Sequence, residues 1–204
     1  MSVFQTYLQL GFYHIFNLQA YDHLVFLLAL CAPYVLGDWR RVVALVTSFT
    51  IGHSITLALA TLGVIAFNAA IIEALIPVTI LLTCLANLLR AGRLEPRRND
   101  TRRTEPIVLT LPNLLAAVFG LIHGLGFSNY LRELLGQNSR PVLELFAFNL
   151  GVELGQLLIV LIILVVGFVV LRGFGASRRD WVLVVSGAAA GIATVLLLGQ
   201  LTGA

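Results

Sequence analysis

Six apolar stretches, each long enough to cross a bilayer, occupy most of this chain, at about 18–36, 42–66, 70–89, 112–130, 143–171 and 181–201. A helix rises ~1.5 Å per residue, so roughly 20 apolar residues traverse a hydrocarbon core of about 30 Å. Lipid offers the backbone no hydrogen bonds, so each crossing must satisfy its own N–H and C=O groups, which a helix does. Composition agrees: 59% of the residues are hydrophobic and 11% charged, where soluble domains carry ~25% charged residues. The expected fold is an all-α integral membrane protein, one polytopic domain over 1–204, built as a bundle of about six helices in contact with membrane lipids. Residues 1–17 read as an interfacial helix or an outward extension of the first span. The N-terminus has no cationic region and no A-x-A-like cleavage site, so no cleaved signal peptide is expected. Cys31 and Cys84 fall in different spans and read as packing residues.

Charge placement sets the expected orientation. All thirteen basic residues are arginine, and eleven fall in the segments 37–41, 90–111 and 172–180. Only Arg132 and Arg140 lie on the other side. The positive-inside rule makes the eleven cytoplasmic and both termini outward, as in a multi-pass protein of a bacterial-type inner membrane. The polar loop 90–111 reads as a solvated topology determinant rather than a nucleic-acid or lipid-headgroup patch. Pro112, Pro141 and Ser139 suit helix starts, and Pro77 should kink the third span. Gly120/Gly124, Gly151/Gly155 and Gly187/Gly191 are small-xxx-small pairs of the kind that bring helices close. Phe49 to His53 and Phe119 to His123 share an F-x-x-x-H pattern, a weak hint of two inverted halves.

The polar residues inside these spans carry the functional signal. All four histidines (His14, His23, His53 and His123) lie in or beside apolar segments, as do Asp22 and Glu153, with no cation beside the acids. An ionisable group in hydrocarbon costs a few kcal/mol even on lenient scales, so it persists where it pairs or binds something. One transmembrane histidine is often only an interhelical hydrogen bond. Imidazoles together with carboxylates are the donor set of a divalent transition-metal site, and nickel, cobalt, zinc, iron and manganese all suit these nitrogen and oxygen donors. By rise, His53, His123 and Glu153 each sit roughly 15–17 Å into the membrane, near the midplane. Asp22 and His23 are adjacent, so both face one partner only if the helix is irregular there. The expected ligands are Asp22, His23, His53, His123 and Glu153. His14 and Glu73 are candidates for an entrance or an extra ligand. Thr50, Ser54, Thr56, Asn149 and Gln156 are polar neighbours able to orient the ligands.

The segments GFYHIFNLQAYDHLVFLLAL (11–30), VTSFTIGHSITLALATLG (46–63), FGLIHGLGFSNYLRELLG (119–136) and FNLGVELGQL (148–157) resemble the HupE/UreJ family of membrane proteins. That resemblance implies a role in nickel supply, which with the donor set makes nickel, cobalt or zinc the expected cargo. The family's first-span His…Asp-His pattern falls on His14, Asp22 and His23, and its His-Gly motif on His123 and Gly124. The likeness is greatest to the branch with a GHS motif, Gly52–Ser54, and an FN-x-G-x-E motif ending at Glu153. Two features depart from the hydrogenase-type pattern: seven residues separate His14 from Asp22 instead of five, and the fourth span has one motif histidine instead of two.

The residues and the resemblance together favour a metal permease over an enzyme. The alternative is an intramembrane metal-dependent hydrolase acting on a lipid-like substrate, with Asp22 or Glu153 as base. Haem ligation and a proton channel are the remaining readings. No phosphate-binding loop is present and no nucleic-acid partner is expected; self-association is left open.

Overall fold

A computed structural model describes residues 2–17, 21–91, 110–135 and 141–202. The described residues form seven α-helices and no strands: α1 (Val3–Ile15), α2 (Asp22–Cys31), α3 (Trp39–Thr61), α4 (Ala69–Ala91), α5 (Leu111–Leu135), α6 (Pro141–Gly173) and α7 (Arg178–Thr202), with a 3-10 turn, Leu36–Asp38, leading into α3. Five helices are long and apolar enough to cross a membrane, at Leu36–Thr61, Ala69–Ala91, Leu111–Leu135, Val142–Gly173 and Arg178–Thr202. Large apolar side chains such as Ile51, Leu82, Leu114, Phe146, Ile162 and Val195 point away from the bundle, as lipid-facing side chains must. Arg93, Arg97, Arg98, Arg102, Arg103, Ser139 and Arg140 lie outside the described residues.

Within the first expected span, 18–36, α-helix covers only Asp22–Cys31, and the preceding segment 1–17, expected as an interfacial helix or an outward extension, forms a separate helix. The chain forms α1, breaks, and resumes as α2, which is only ten residues long. At ~1.5 Å per residue α1 and α2 together cover about 35 Å, enough for one crossing made in two pieces. A capping box starts α1: the Gln5 N–H donates to Ser2 Oγ at 3.3 Å, and the Ser2 N–H donates to Gln5 Oε1 at 3.1 Å. The span expected to reach residue 66 ends at Thr61. Gly63 adopts φ +74°, and the Val64 N–H bonds back to Leu59 O at 2.9 Å, a left-handed helix stop that glycine enters without strain.

Two glycine-lined contacts set the frame. A Cβ on Gly52 would overlap the Ala117 carbonyl, one on Gly120 the Phe49 carbonyl, and one on Gly124 the His53 carbonyl. Glycine therefore lets the backbones of α3 and α5 touch, and the contact order makes these helices parallel. The Thr56 hydroxyl donates to Leu121 O at 2.7 Å and pins the pair. Likewise Gly11 meets Phe148, Gly151 meets Leu8 and Gly155 meets Phe12, so α1 runs parallel to α6. A Cβ added to Gly187 or Gly191 on α7 would meet nothing within 4 Å, so that third pair packs against no described part of its own chain.

Helices α3 and α7 begin, and α4 and α6 end, at a common face of the bundle that carries Arg40, Arg41, Arg90, Arg172, Arg178 and Arg179. Arg178 ties this face together by donating to Pro33 O and approaching Asp38 at 3.9 Å. Arg132, near the end of α5, marks the opposite face and donates to Ala60 O.

Candidate metal centre

The break between α1 and α2 builds the site. His14 is the penultimate residue of α1, and Asp22 and His23 open α2, so these side chains are freed from a single helical register. Asp22 Oδ1 accepts the backbone N–H of His23 at 2.8 Å and its ring Nδ1 at 2.9 Å. The irregularity needed for both residues to serve one site is therefore present. The parallel contact of α3 and α5 contributes the other two imidazoles, because Gly124, next to His123, is the residue that touches the His53 carbonyl.

His23 is the hub. Its ring centroid lies 4.9 Å from His14, 6.0 Å from His53 and 5.2 Å from His123. The candidate ligand atoms of His14, His23 and His53 all lie within 4.8 Å of one another, and so do those of Asp22, His23 and His123. His53 and His123 are fully buried, with His14 8% and His23 4% exposed. Phe26, Phe49 and Phe127 wall the cluster. Phe26 stacks on Phe49 at 4.8 Å, Phe49 meets His123 edge-on at 5.2 Å, and Phe127 covers His14 at 3.9 Å.

Hydrogen bonding fixes which nitrogens are free. With His23 Nδ1–H given to Asp22, the Nε2 lone pair is left over, and that atom is buried without a partner. His123 Nε2 lies 3.0 Å from Thr79 Oγ1, while the Thr79 hydroxyl donates to Ile76 O at 2.7 Å. A hydroxyl has one proton, so Nε2 of His123 is the donor and its Nδ1 carries the lone pair. That Nδ1 is also buried without a partner, as are His14 Nε2 and both nitrogens of His53. Leaving a buried polar atom unpaired costs about 1–3 kcal/mol. Several such atoms converging on one place is the arrangement a bound cation would relieve.

Two cavities reach the cluster. One of about 500 Å³ is lined by His14, Tyr13, Asn17, Phe127 and Tyr130. Another of about 240 Å³ is lined by Asp22, Tyr21, Glu73, Pro77 and Gln200. His14 and Glu73 thus each face a cavity that touches the cluster.

The remaining candidates lie elsewhere. Glu153 belongs to neither group of mutually close ligand atoms among the described residues; its Oε1 accepts the Thr47 hydroxyl at 2.6 Å. Thr50 and Gln156 are bonded to each other at 2.7 Å. Asn149 Nδ2 donates to Leu145 O at 2.9 Å, and Ser54 is half-buried on α3. Thr79 and Thr47 are polar partners that reasoning from sequence does not pick out. Their only signal is a hydroxyl within an apolar span, which is faint.

Fold and site define a class: a polytopic helical membrane protein with a buried imidazole–carboxylate cluster at a broken helix. The family model described as HupE / UreJ protein matches residues 1–200, and the chain belongs to that family. No curated protein and no solved structure matches it.

Proposed function

We propose that the protein is a divalent transition-metal permease of the membrane, with nickel, cobalt or zinc as its cargo. Asp22, His23, His53 and His123 form the intramembrane site, and His14 is an added ligand on the side of the larger cavity. The observation that carries this reading is the convergence of four buried imidazoles whose free nitrogens have no partner in the protein. Membership of a family associated with nickel supply supports nickel as the first ion to test. Nitrogen donors favour late divalent ions over magnesium and calcium, which take oxygen.

Asp22 holds the His23 tautomer and contributes negative charge, and Thr79 does the same positioning work for His123. The arginine-bearing face is cytoplasmic and both termini face outward, so the two cavities admit the ion from outside. A hydrolase would need a free carboxylate beside the metal; Asp22 is bonded to His23 at 2.9 Å, and Glu153 lies outside both ligand groups, bonded to Thr47 at 2.6 Å, which favours the permease. Nickel flux into proteoliposomes tests the reading. Wild-type protein should carry Ni²⁺, and His53→Ala should reduce the flux about 10-fold or more. Equal flux through protein-free and wild-type vesicles would contradict it.

A further inference from the structure

A second polar cluster lies between α3 and α6, apart from the imidazoles. Along α3, Thr50 is one turn and Thr47 two turns from His53, toward the end that carries Arg40 and Arg41; by rise, Thr47 is about 9 Å from His53. Across from them, Asn149, Glu153 and Gln156 form a single stripe at i, i+4 and i+7 on α6. Thr47 donates to Glu153 Oε1 at 2.6 Å. Thr50 lies 2.7 Å from Gln156 Oε1 and 3.1 Å from Val46 O.

This cluster is not closed on itself. Glu153 Oε2, Asn149 Oδ1 and Gln156 Nε2 are buried with no partner, and Gln156 is fully buried. Thr50 has one proton and two acceptors. If it serves Val46, the Gln156 amide turns over, gives its N–H to Thr50 and leaves its own oxygen free. The stripe then offers three unpaired oxygens from Asn149, Glu153 and Gln156, one of them from a carboxylate. Simple helix pinning leaves this unexplained, because pinning is served by the two threonine bonds alone and gains nothing from an acid with a bare buried oxygen.

Resting on the permease reading, we propose that Glu153, Asn149 and Gln156, positioned by Thr47 and Thr50, form a second station that receives the divalent cation from the imidazoles on its way to the arginine-bearing face. Oxygen donors hold late divalent ions less tightly than imidazole does. A path that binds tightly and then loosely lets the ion leave as well as enter. Glu153 supplies the charge that makes the second position habitable for a cation.

The test separates binding from passage. Full-length wild type, Glu153→Gln, Glu153→Asp and Thr47→Val are purified in detergent for equilibrium Ni²⁺ binding and reconstituted for Ni²⁺ flux. The inference expects Glu153→Gln to keep the tight Ni²⁺ equivalent held by the imidazoles while its flux drops about 10-fold or more. Glu153→Asp should restore part of the flux, and Thr47→Val should lower it by a smaller factor. Retained binding also certifies the fold of each variant. Wild-type flux in Glu153→Gln would overturn the second station, as would loss of its bound Ni²⁺ to the extent seen in His53→Ala, which would assign Glu153 to the imidazole site. A wild type that neither binds nor carries Ni²⁺, Co²⁺ or Zn²⁺ would instead overturn the permease reading, and this inference with it.

Discussion

Thr79 illustrates how one side chain decides the chemistry of another. Its hydroxyl proton goes to Ile76 O, so it accepts from His123 Nε2 and leaves Nδ1 as the free donor atom. Thr79→Val keeps the shape and removes that anchor. Metal affinity should fall about 10-fold or more, as for other lost supporting bonds around metal ligands; competition with a chromophoric chelator measures it. Unchanged affinity would mean the tautomer is set in some other way. Asp22→Ala goes further, because it removes both the charge and the acceptor for His23 Nδ1. Its affinity should fall more than that of Thr79→Val in the same titration.

At the scale of elements, the glycine contacts are the scaffold on which the ligands depend. Gly120→Leu would press a side chain into the Phe49 carbonyl and force α3 from α5. Overpacking of this kind costs ~1–3 kcal/mol or more. The variant should show a lower Tm in detergent and reduced metal content, although no ligand is altered. Gly187→Leu, which meets nothing within its own chain, should leave both unchanged. The five long helices were readable from length and hydropathy, and the four histidines stood out because an imidazole in an apolar run demands a reason. The break before Asp22 was only partly readable: residues 1–17 could be set apart from the first span, but no proline or glycine marks the break itself. The pairing of Glu153 with Thr47 was hidden for another reason. Depth along each helix brought Glu153 level with the histidines, but which face of α6 meets which helix is set by packing, and that leaves no trace in one sequence.

The described part of the molecule is a bundle with six arginines at one face, Arg132 at the other, and cavities leading to a buried cluster. Under the proposed orientation, a cysteine replacing Ser2 in intact cells or oriented vesicles should react with a membrane-impermeant maleimide from outside. One replacing Ser177, at the arginine-bearing face, should react only after permeabilisation. Both native cysteines are buried, so they should give little background. Proton competition is a second whole-molecule property. Metal binds the neutral imidazole, whose ordinary pKa is about 6.5, so lower pH puts protons where the ion must go. Uptake should fall as the pH is lowered, because protons and the ion compete for the same nitrogens; uptake that never weakens with acid while the protein stays folded would argue against imidazole ligation. The most direct measurement of the central claim is metal content per chain, read by mass spectrometry on untagged, detergent-purified protein beside His53→Ala and His123→Ala. The account predicts a near-stoichiometric late divalent metal in the wild type after supplementation with nickel, cobalt or zinc, and its loss in both variants. A wild type free of metal under all three supplements, or variants that retain it, would contradict the account.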